Sequence, residues 1–198
     1  LGPGAVGYVL GITKAYTTRV GEGPFPTELK DEIGKRIGER GKEFGTVTGR
    51  ERRCGWLDLV ALRYAARVNG LTSLALTKLD VLSEFGEIPV CVRYRLRDGT
   101  DTVEFPAHQS DFHHCEPVYE VLAGWGEPID AVDTFDALPA EARRYVEFVE
   151  RALDNAVEKN SAKGAWAIIQ EVKTGRILAM ANRPTYDIGA FWARAGLS

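Results

Sequence analysis

Apolar and polar positions along the chain repeat in short runs, some with a period of two and some with a helical period. Residues 8–20 alternate and are rich in β-branched side chains, which predicts a buried strand. Two Gly and two Pro within residues 21–26 predict a loop. Thr27 is placed to cap a helix through Leu29, Ile33 and Ile37, with Lys35, Arg36, Glu39 and Arg40 on its wet side. Residues 41–55, rich in Gly, Thr and Arg, read as a second loop. Residues 56–68 carry Leu59, Val60, Leu62, Tyr64 and Ala66 and predict an apolar helix closed by Asn69-Gly70. Residues 73–77 form a short buried strand, and residues 88–95 and 102–105 flank a hairpin signal at Arg97-Asp98-Gly99-Thr100. Residues 140–153 predict a helix with Tyr145, Phe148, Val149 and Ala152 turned inward. Residues 165–172 and 177–181 flank Lys173-Thr174-Gly175-Arg176, a second hairpin. Strands interleaved with helices imply an α/β or α+β fold.

Composition narrows the class. The 198 residues are 44% hydrophobic and 27% charged, ordinary values for a globular chain long enough to build its own core. A net charge of −3 argues against a general nucleic-acid binder, which is usually basic. Cys54, Cys91 and Cys115 are odd in number and widely spaced, which suits a reducing compartment better than a disulfide framework. No run approaches the roughly 20 apolar residues that span a bilayer, and no secretory leader pattern opens the chain. A cytoplasmic chain with no membrane and no nucleic-acid partner is expected.

Three segments could carry chemistry. In the first, Gly45-Thr46-Val47-Thr48-Gly49-Arg50-Glu51-Arg52-Arg53, three Arg crowd into four positions. Guanidinium forks match carboxylates and phosphates, while Gly and Thr allow close approach and supply donors. The segment is either an anion-binding loop or a solvated turn whose Arg pair with nearby Asp or Glu. The second, Thr77-Lys78-Leu79-Asp80, follows a buried strand, where α/β sheets bind ligands. A carboxylate there can accept from both N1–H and the exocyclic amine of guanine, with the Lys stem over the base. A plain strand end with surface charges is the other reading. The third, Val20-Gly21-Glu22-Gly23-Pro24-Phe25-Pro26, is a rigid loop that either presents main chain to a sugar or phosphate or simply turns the chain.

Other matches fail on context. Gly2-Pro3-Gly4-Ala5-Val6-Gly7 lacks a preceding strand, and Pro3 removes a donor. Gly41-Lys42 lacks the earlier Gly of a phosphate loop. His108, His113, His114 and Cys115 are poorly spaced for chelation and read as a surface loop. Lys173-Thr174-Gly175 has no accompanying S-x-x-K nucleophile.

As a set, three stretches resemble adenylosuccinate synthetase, specifically its C-terminal portion, over about residues 1–153. They are residues 8–28 with their Thr18-Arg19-Val20-Gly21 core, Thr48-Gly49-Arg50-Glu51-Arg52-Arg53-Cys54-Gly55-Trp56, and Leu76-Thr77-Lys78-Leu79-Asp80-Val81-Leu82. The resemblance implies an α/β fold with a mixed sheet and flanking helices, part of a P-loop-NTPase-like synthetase, followed by a C-terminal β-hairpin. It implies a ligase joining IMP to L-aspartate with GTP and Mg²⁺ in purine synthesis, through a 6-phosphoryl-IMP intermediate, in the cytoplasm and as a homodimer. Carried over residue by residue, Thr46, Val47, Thr48, Gly49 and Arg50 would hold aspartate. Val20, Gly21 and Arg50 would face IMP. Arg52, Lys78, Leu79 and Asp80 would hold GTP. Val47 stands where the family usually carries Thr.

The family's G-D-E-G-K-G-K loop, with its catalytic Asp and Mg²⁺ ligand, does not occur in these 198 residues, nor does its assisting His motif. No catalytic or metal-ligating residue is therefore assigned, and the chain is expected to be inactive alone. Where the family has I-S-T-G-P, this chain reads Lys159-Asn160-Ser161-Ala162-Lys163-Gly164. Residues 155–190 resemble the opening hairpin of a class B penicillin-binding protein transpeptidase domain. The expected division is residues 1–153 and 154–198. The alternatives are a non-catalytic guanine-nucleotide-binding or scaffold remnant and a cell-wall transpeptidase fragment.

Overall fold

The computed structural model describes Val6, residues 9–158, and the strand backbones at 165–170 and 177–183, with side chains described to residue 153. The architecture is mixed α/β, and three small sheets share the chain. The first sheet has the order β1 (Leu10–Lys14), β4 (Ser73–Thr77), β8 (Ala165–Gln170), β9 (Ile177–Arg183). Its first three strands run parallel, and β9 is antiparallel to β8. The second pairs β2 (Thr17–Arg19) with β3 (Arg53–Gly55). The third sets β5 (Glu87–Arg95) between β6 (Asp101–Thr102) and β7 (Glu116–Ala123), all antiparallel. Helices α1 (Glu32–Gly41), α2 (Leu59–Val68), α3 (Gln109–His114) and α4 (Ala140–Glu158) and a 3₁₀ turn at Leu79–Leu82 complete the described elements.

Strand β4 forms because its run Ser-Leu-Ala-Leu-Thr has apolar residues facing both ways, and Leu74, Ala75 and Leu76 are all buried. Helix α4 presses Tyr145, Val146 and Val149 into the main core beside Trp125, Leu76 and Leu82. The Tyr145 hydroxyl donates to the Ala15 carbonyl at 2.6 Å, which satisfies a group that is fully buried. A smaller cluster of Val60, Cys91, Tyr94 and Cys115 lies under α2. There the Tyr94 hydroxyl donates to Asp58, whose other oxygen caps α2 by accepting from Ala61 N at 3.0 Å.

Several boundaries differ from the sequence reading. Residues 8–20 do not form one strand. Ala15 N donates to Thr77 O and the Tyr16 side chain turns into the core, so the chain leaves one sheet and enters another between β1 and β2. Thr27 does not cap α1. The cap is Asp31, which accepts from Ile33 N and Gly34 N at 3.1 Å each, and Leu29 lies outside the helix. Residues 41–55 are not all loop, since β3 occupies their end. Helix α2 begins at Leu59 rather than residue 56, because Asp58 is the capping side chain. Strand β6 has two residues rather than four, whereas α4 runs on to Glu158. Helix α3 and strand β7 had no counterpart in the sequence reading. The second hairpin is present as β8 and β9, but β8 also pairs with β4, so the hairpin extends the first sheet. Its expected turn at residues 173–176 lies outside the described residues.

Candidate functional site

The parallel sheet ends on two lysines. Lys14 closes β1, and Lys78 follows β4 in the register partner's next position. Lys78 takes φ +59°, the left-handed region, which turns the chain sharply into the 3₁₀ turn Leu79–Leu82. That turn is braced from α1. Arg40 donates to the Ser83 carbonyl at 2.6 Å and to the Asp80 carbonyl at 3.4 Å, and it pairs with Glu84 at 3.1 Å.

The two lysines converge on Glu43, just past the end of α1. Its side chain is almost wholly buried. One carboxylate oxygen accepts from Lys14 Nζ at 2.7 Å and Arg52 NH1 at 3.3 Å. The other accepts from the Tyr16 hydroxyl at 2.6 Å and Lys78 Nζ at 2.9 Å. Burial pushes this carboxyl up, but the bonds from Lys14, Tyr16 and Lys78 outweigh it and bring the pKa down to about 2. Three cations thus surround one carboxylate, leaving local positive charge that suits an anionic ligand. Gly41 admits this packing: a Cβ there would lie 2.2 Å from the Tyr16 oxygen.

The Arg-rich loop rises from the same point. Phe44 and Glu51 form an antiparallel bridge, and Arg52 N donates to Glu43 O at 2.9 Å. Above that base, Gly45 N donates to Arg50 O at 2.8 Å and Gly49 N to Gly45 O at 2.7 Å. Gly49 sits at φ +64°, where a side chain would be strained. Thr46, Val47, Thr48, Gly49 and Arg50 lie at the tip, and Val47 is 97% exposed.

The three arginines behave differently. Arg53 forms a two-pronged pair with Glu28 at 2.6 and 2.7 Å and donates to the Gly21 and Gly23 carbonyls at 3.0 and 2.9 Å. Arg52 pairs with Glu43. Arg50 has no ion pair among the described residues. Of the two sequence readings, internal pairing holds for Arg52 and Arg53, while Arg50 is left open to solvent. Through Arg53, the loop carrying Val20 and Gly21 is tied to β3, beside the Arg-rich segment. Val20 points to solvent, at 76% exposure.

Asp80 is half-buried, and no other side chain donates to its carboxylate among the described residues. Burial raises its pKa, and the nearby charge of Asp130 raises it further. Its own backbone N–H bonds to it, which leaves acceptor positions open to a ligand that carries donors. Lys78 has its ammonium anchored on Glu43 and the Gly41 carbonyl, so its methylene stem is the part left beside Asp80. Leu79 is 1% exposed and belongs to the core, leaving only its main chain for a ligand.

Glu43, Lys14 and Tyr16 had no signal in the sequence reading. They lie in segments read as loop or strand, and only the tertiary fold brings them to Arg52 and Lys78. Among the described residues, no three His, Cys, Asp or Glu side chains come together to hold a metal ion. His108 precedes α3, while His113 and His114 lie in its last turn. Among the described residues no helix is long and apolar enough to cross a membrane. A cleft of about 470 Å³ between α1 and β3, lined by Glu28, Lys35, Glu51, Arg52 and Arg53 among others, lies beside this cluster.

A family model described as adenylosuccinate synthetase matches residues 1–163. An adenylosuccinate synthetase of Acidothermus cellulolyticus is 56% identical over 150 residues, which is 76% of this chain and 35% of that protein. That of Mycobacterium avium is 60% identical over 146 residues, 74% of this chain and 34% of that protein. The structure of fully ligated adenylosuccinate synthetase from Plasmodium falciparum superposes with a TM-score of 0.81 at 35% identity, covering 91% of this chain and 41% of that one. The chain spans about a third of the length of the curated relatives it matches. The penicillin-binding resemblance of residues 155–190 finds no support in these comparisons, and the family match continues past residue 155 to 163.

Proposed function

The chain belongs to the adenylosuccinate synthetase family, and on that footing we propose that it carries a ligand-binding half of the GTP-dependent ligase that joins IMP to L-aspartate. The supporting observation is the shared carboxylate of Glu43, which holds the Lys78 stem beside Asp80 and the Arg52 base of the Arg50 loop in one cluster. In this reading Asp80 accepts from guanine N1–H and its exocyclic amine, while the Lys78 stem covers the base and Leu79 contributes main chain. Arg52 faces the GTP. The loop of Thr46, Val47, Thr48, Gly49 and Arg50 closes on the carboxylates of aspartate. Val20 and Gly21 line the IMP ribose, and Arg50 also faces IMP.

Residues 1–153 hold every one of these candidates, and residues 154–198 hold none. Phosphoryl transfer depends on positioning and on neutralising charge around the phosphates. These 198 residues contain no G-D-E-G-K-G-K motif to do that, so binding without turnover is expected from this chain by itself. We place the protein in the cytoplasm and its working form as a homodimer.

The test is a calorimetric titration of the 198-residue chain with GTP and with ATP, repeated on Asp80→Asn. GTP selectivity that falls about tenfold to a hundredfold in the variant is expected, since a bond to a charged group is worth about 1.5–3 kcal/mol. Equal affinity for the two nucleotides in the parent chain would contradict the reading. Robust formation of adenylosuccinate from IMP, aspartate and GTP by this chain alone would contradict the expected lack of turnover.

A further inference from the structure

We propose that Glu43 is the positioning residue of this site, a single buried carboxylate that sets the guanine turn against the base of the Arg-rich loop. The inference rests on the reading above for what Lys78 and Arg52 bind, but its geometric part stands by itself.

Two backbone units meet here. One is the end of the parallel sheet, where Lys14 pairs with Thr77 and Lys78 follows. The other is the loop base, where Phe44 bridges to Glu51 and Arg52 N donates to Glu43 O. Glu43 links them, since its two oxygens take four donors from both units at 2.6–3.3 Å. A carboxylate has about four lone-pair positions, so all are used. The other end of the residue is fixed as well, because Glu43 N donates to Gly38 O at 2.8 Å. The Arg52 Nε is buried with no partner, which leaves the Glu43 contact as the described side-chain tie of that arginine.

Without Glu43, two ammonium groups and a guanidinium would face each other with no anion between them, and mutual repulsion would drive Lys78 and Arg52 apart. With it, the Lys78 ammonium is drawn back from Asp80, and the left-handed backbone at Lys78 is held in place. All four acceptor positions of Glu43 are taken by donors of the protein itself. Glu43 acts through Lys78 and Arg52.

The test uses the full 198-residue chain and the variants Glu43→Gln and Glu43→Asp. Glutamine offers one acceptor oxygen and introduces donors beside Lys78, whereas aspartate keeps the charge on a shorter arm. GTP affinity is expected to fall about tenfold or more in Glu43→Gln and less in Glu43→Asp. Equal loss in the two would overturn a role for charge placement. Side-chain NMR without nucleotide reads the geometry directly. The Lys78 ammonium and Arg52 guanidinium signals should both move in Glu43→Gln, while backbone signals of α4 and β5 stay in place. If either side-chain signal stays put, the positioning role is overturned whatever the nucleotide does. Where Glu43→Gln does not fold, the same two signals are read in Glu43→Asp: movement of both supports the role, and a signal that stays put overturns it. If the parent chain binds no GTP and both signals still move, the ligand reading fails and the positioning role is supported.

Discussion

Arg50, Arg52 and Arg53 lie within four positions, yet each meets a different environment. Arg53 is spent on Glu28 and two carbonyls, and both partners are largely shielded. Arg53→Ala should therefore cost about 2 kcal/mol or more, because it leaves the shielded Glu28 carboxylate with the exposed Lys30 ammonium at 3.7 Å in place of a two-pronged partner. Arg50 is exposed and unpaired among the described residues, so Arg50→Ala should change stability by less than about 0.5 kcal/mol. The same change should weaken L-aspartate binding. Urea unfolding of the two variants beside an aspartate titration checks both statements, and a large stability loss in Arg50→Ala would contradict them. Glu43 gives the chain an acid sensitivity. Its carboxyl is held at about 2, below the ordinary 4.5, so its contribution is complete above pH 4.5 and is lost as pH falls toward 2. The linkage amounts to about 3 kcal/mol. Asp80 shifts the other way, since its pKa is raised by burial and by Asp130. If the charged Asp80 carboxylate holds guanine as proposed, GTP binding should weaken on acidification before the Glu43 contribution to stability is lost. Urea midpoints and GTP titrations across pH 3–7 separate the two effects, and loss of both over one pH range would contradict the assignment.

At the scale of elements, close approaches of backbone hold the site's supports in place. In α1, a Cβ on Gly34 would lie 2.2 Å from the Leu29 carbonyl oxygen. Helix propensity alone favours Gly34→Ala by about 1 kcal/mol. The clash is with backbone and cannot swing away, so the variant should instead lose about 1–3 kcal/mol. A thermal melt decides between the two, and a stabilised variant would contradict the packing of α1 against residues 28–29. These elements also show what the sequence could reveal. Strand β4 was legible because its run is apolar on both faces, and the end of α2 because Asn69-Gly70 stops a helix. Strand β7 was not, because Glu116, Glu120 and Val121 leave it only partly buried and Pro117 interrupts its pattern. Helix α3 is one short stretch with no apolar period. The start of α1 was misplaced because Thr27 and Asp31 both have capping side chains, and the difference lies in tertiary contacts of residues 27–29 with β3. For the site, Arg50, Lys78 and Asp80 stood out by residue type and position after a strand. Glu43 did not, because its partners come from three separate stretches, at residues 14–16, 52 and 78, and no local spacing relates them to it.

On the scale of the whole molecule, β1 and β9 are the edges of the described four-stranded sheet. Strand β1 pairs with β4 alone among the described strands, and Leu10 and Ile12 on it are 44% and 75% exposed. An unprotected apolar edge favours strand pairing between chains. The 198-residue chain is expected to self-associate as its concentration rises, and Ile12→Lys should shift it toward smaller species in sedimentation velocity. An unchanged distribution would contradict that role for the edge. The sheet's other feature is the charged cluster at the ends of β1 and β4, where Lys14, Glu43, Arg52 and Lys78 join the turn proposed to hold guanine to the Arg50 loop. The most direct measurement of that assignment is the affinity of this chain for GTP, ITP and ATP under one set of conditions. ITP keeps N1–H but lacks the exocyclic amine, and ATP presents the opposite hydrogen-bonding edge. Binding in the order GTP, then ITP, then ATP is expected if Asp80 accepts both guanine hydrogens. Equal binding of all three, or binding of none, would contradict it.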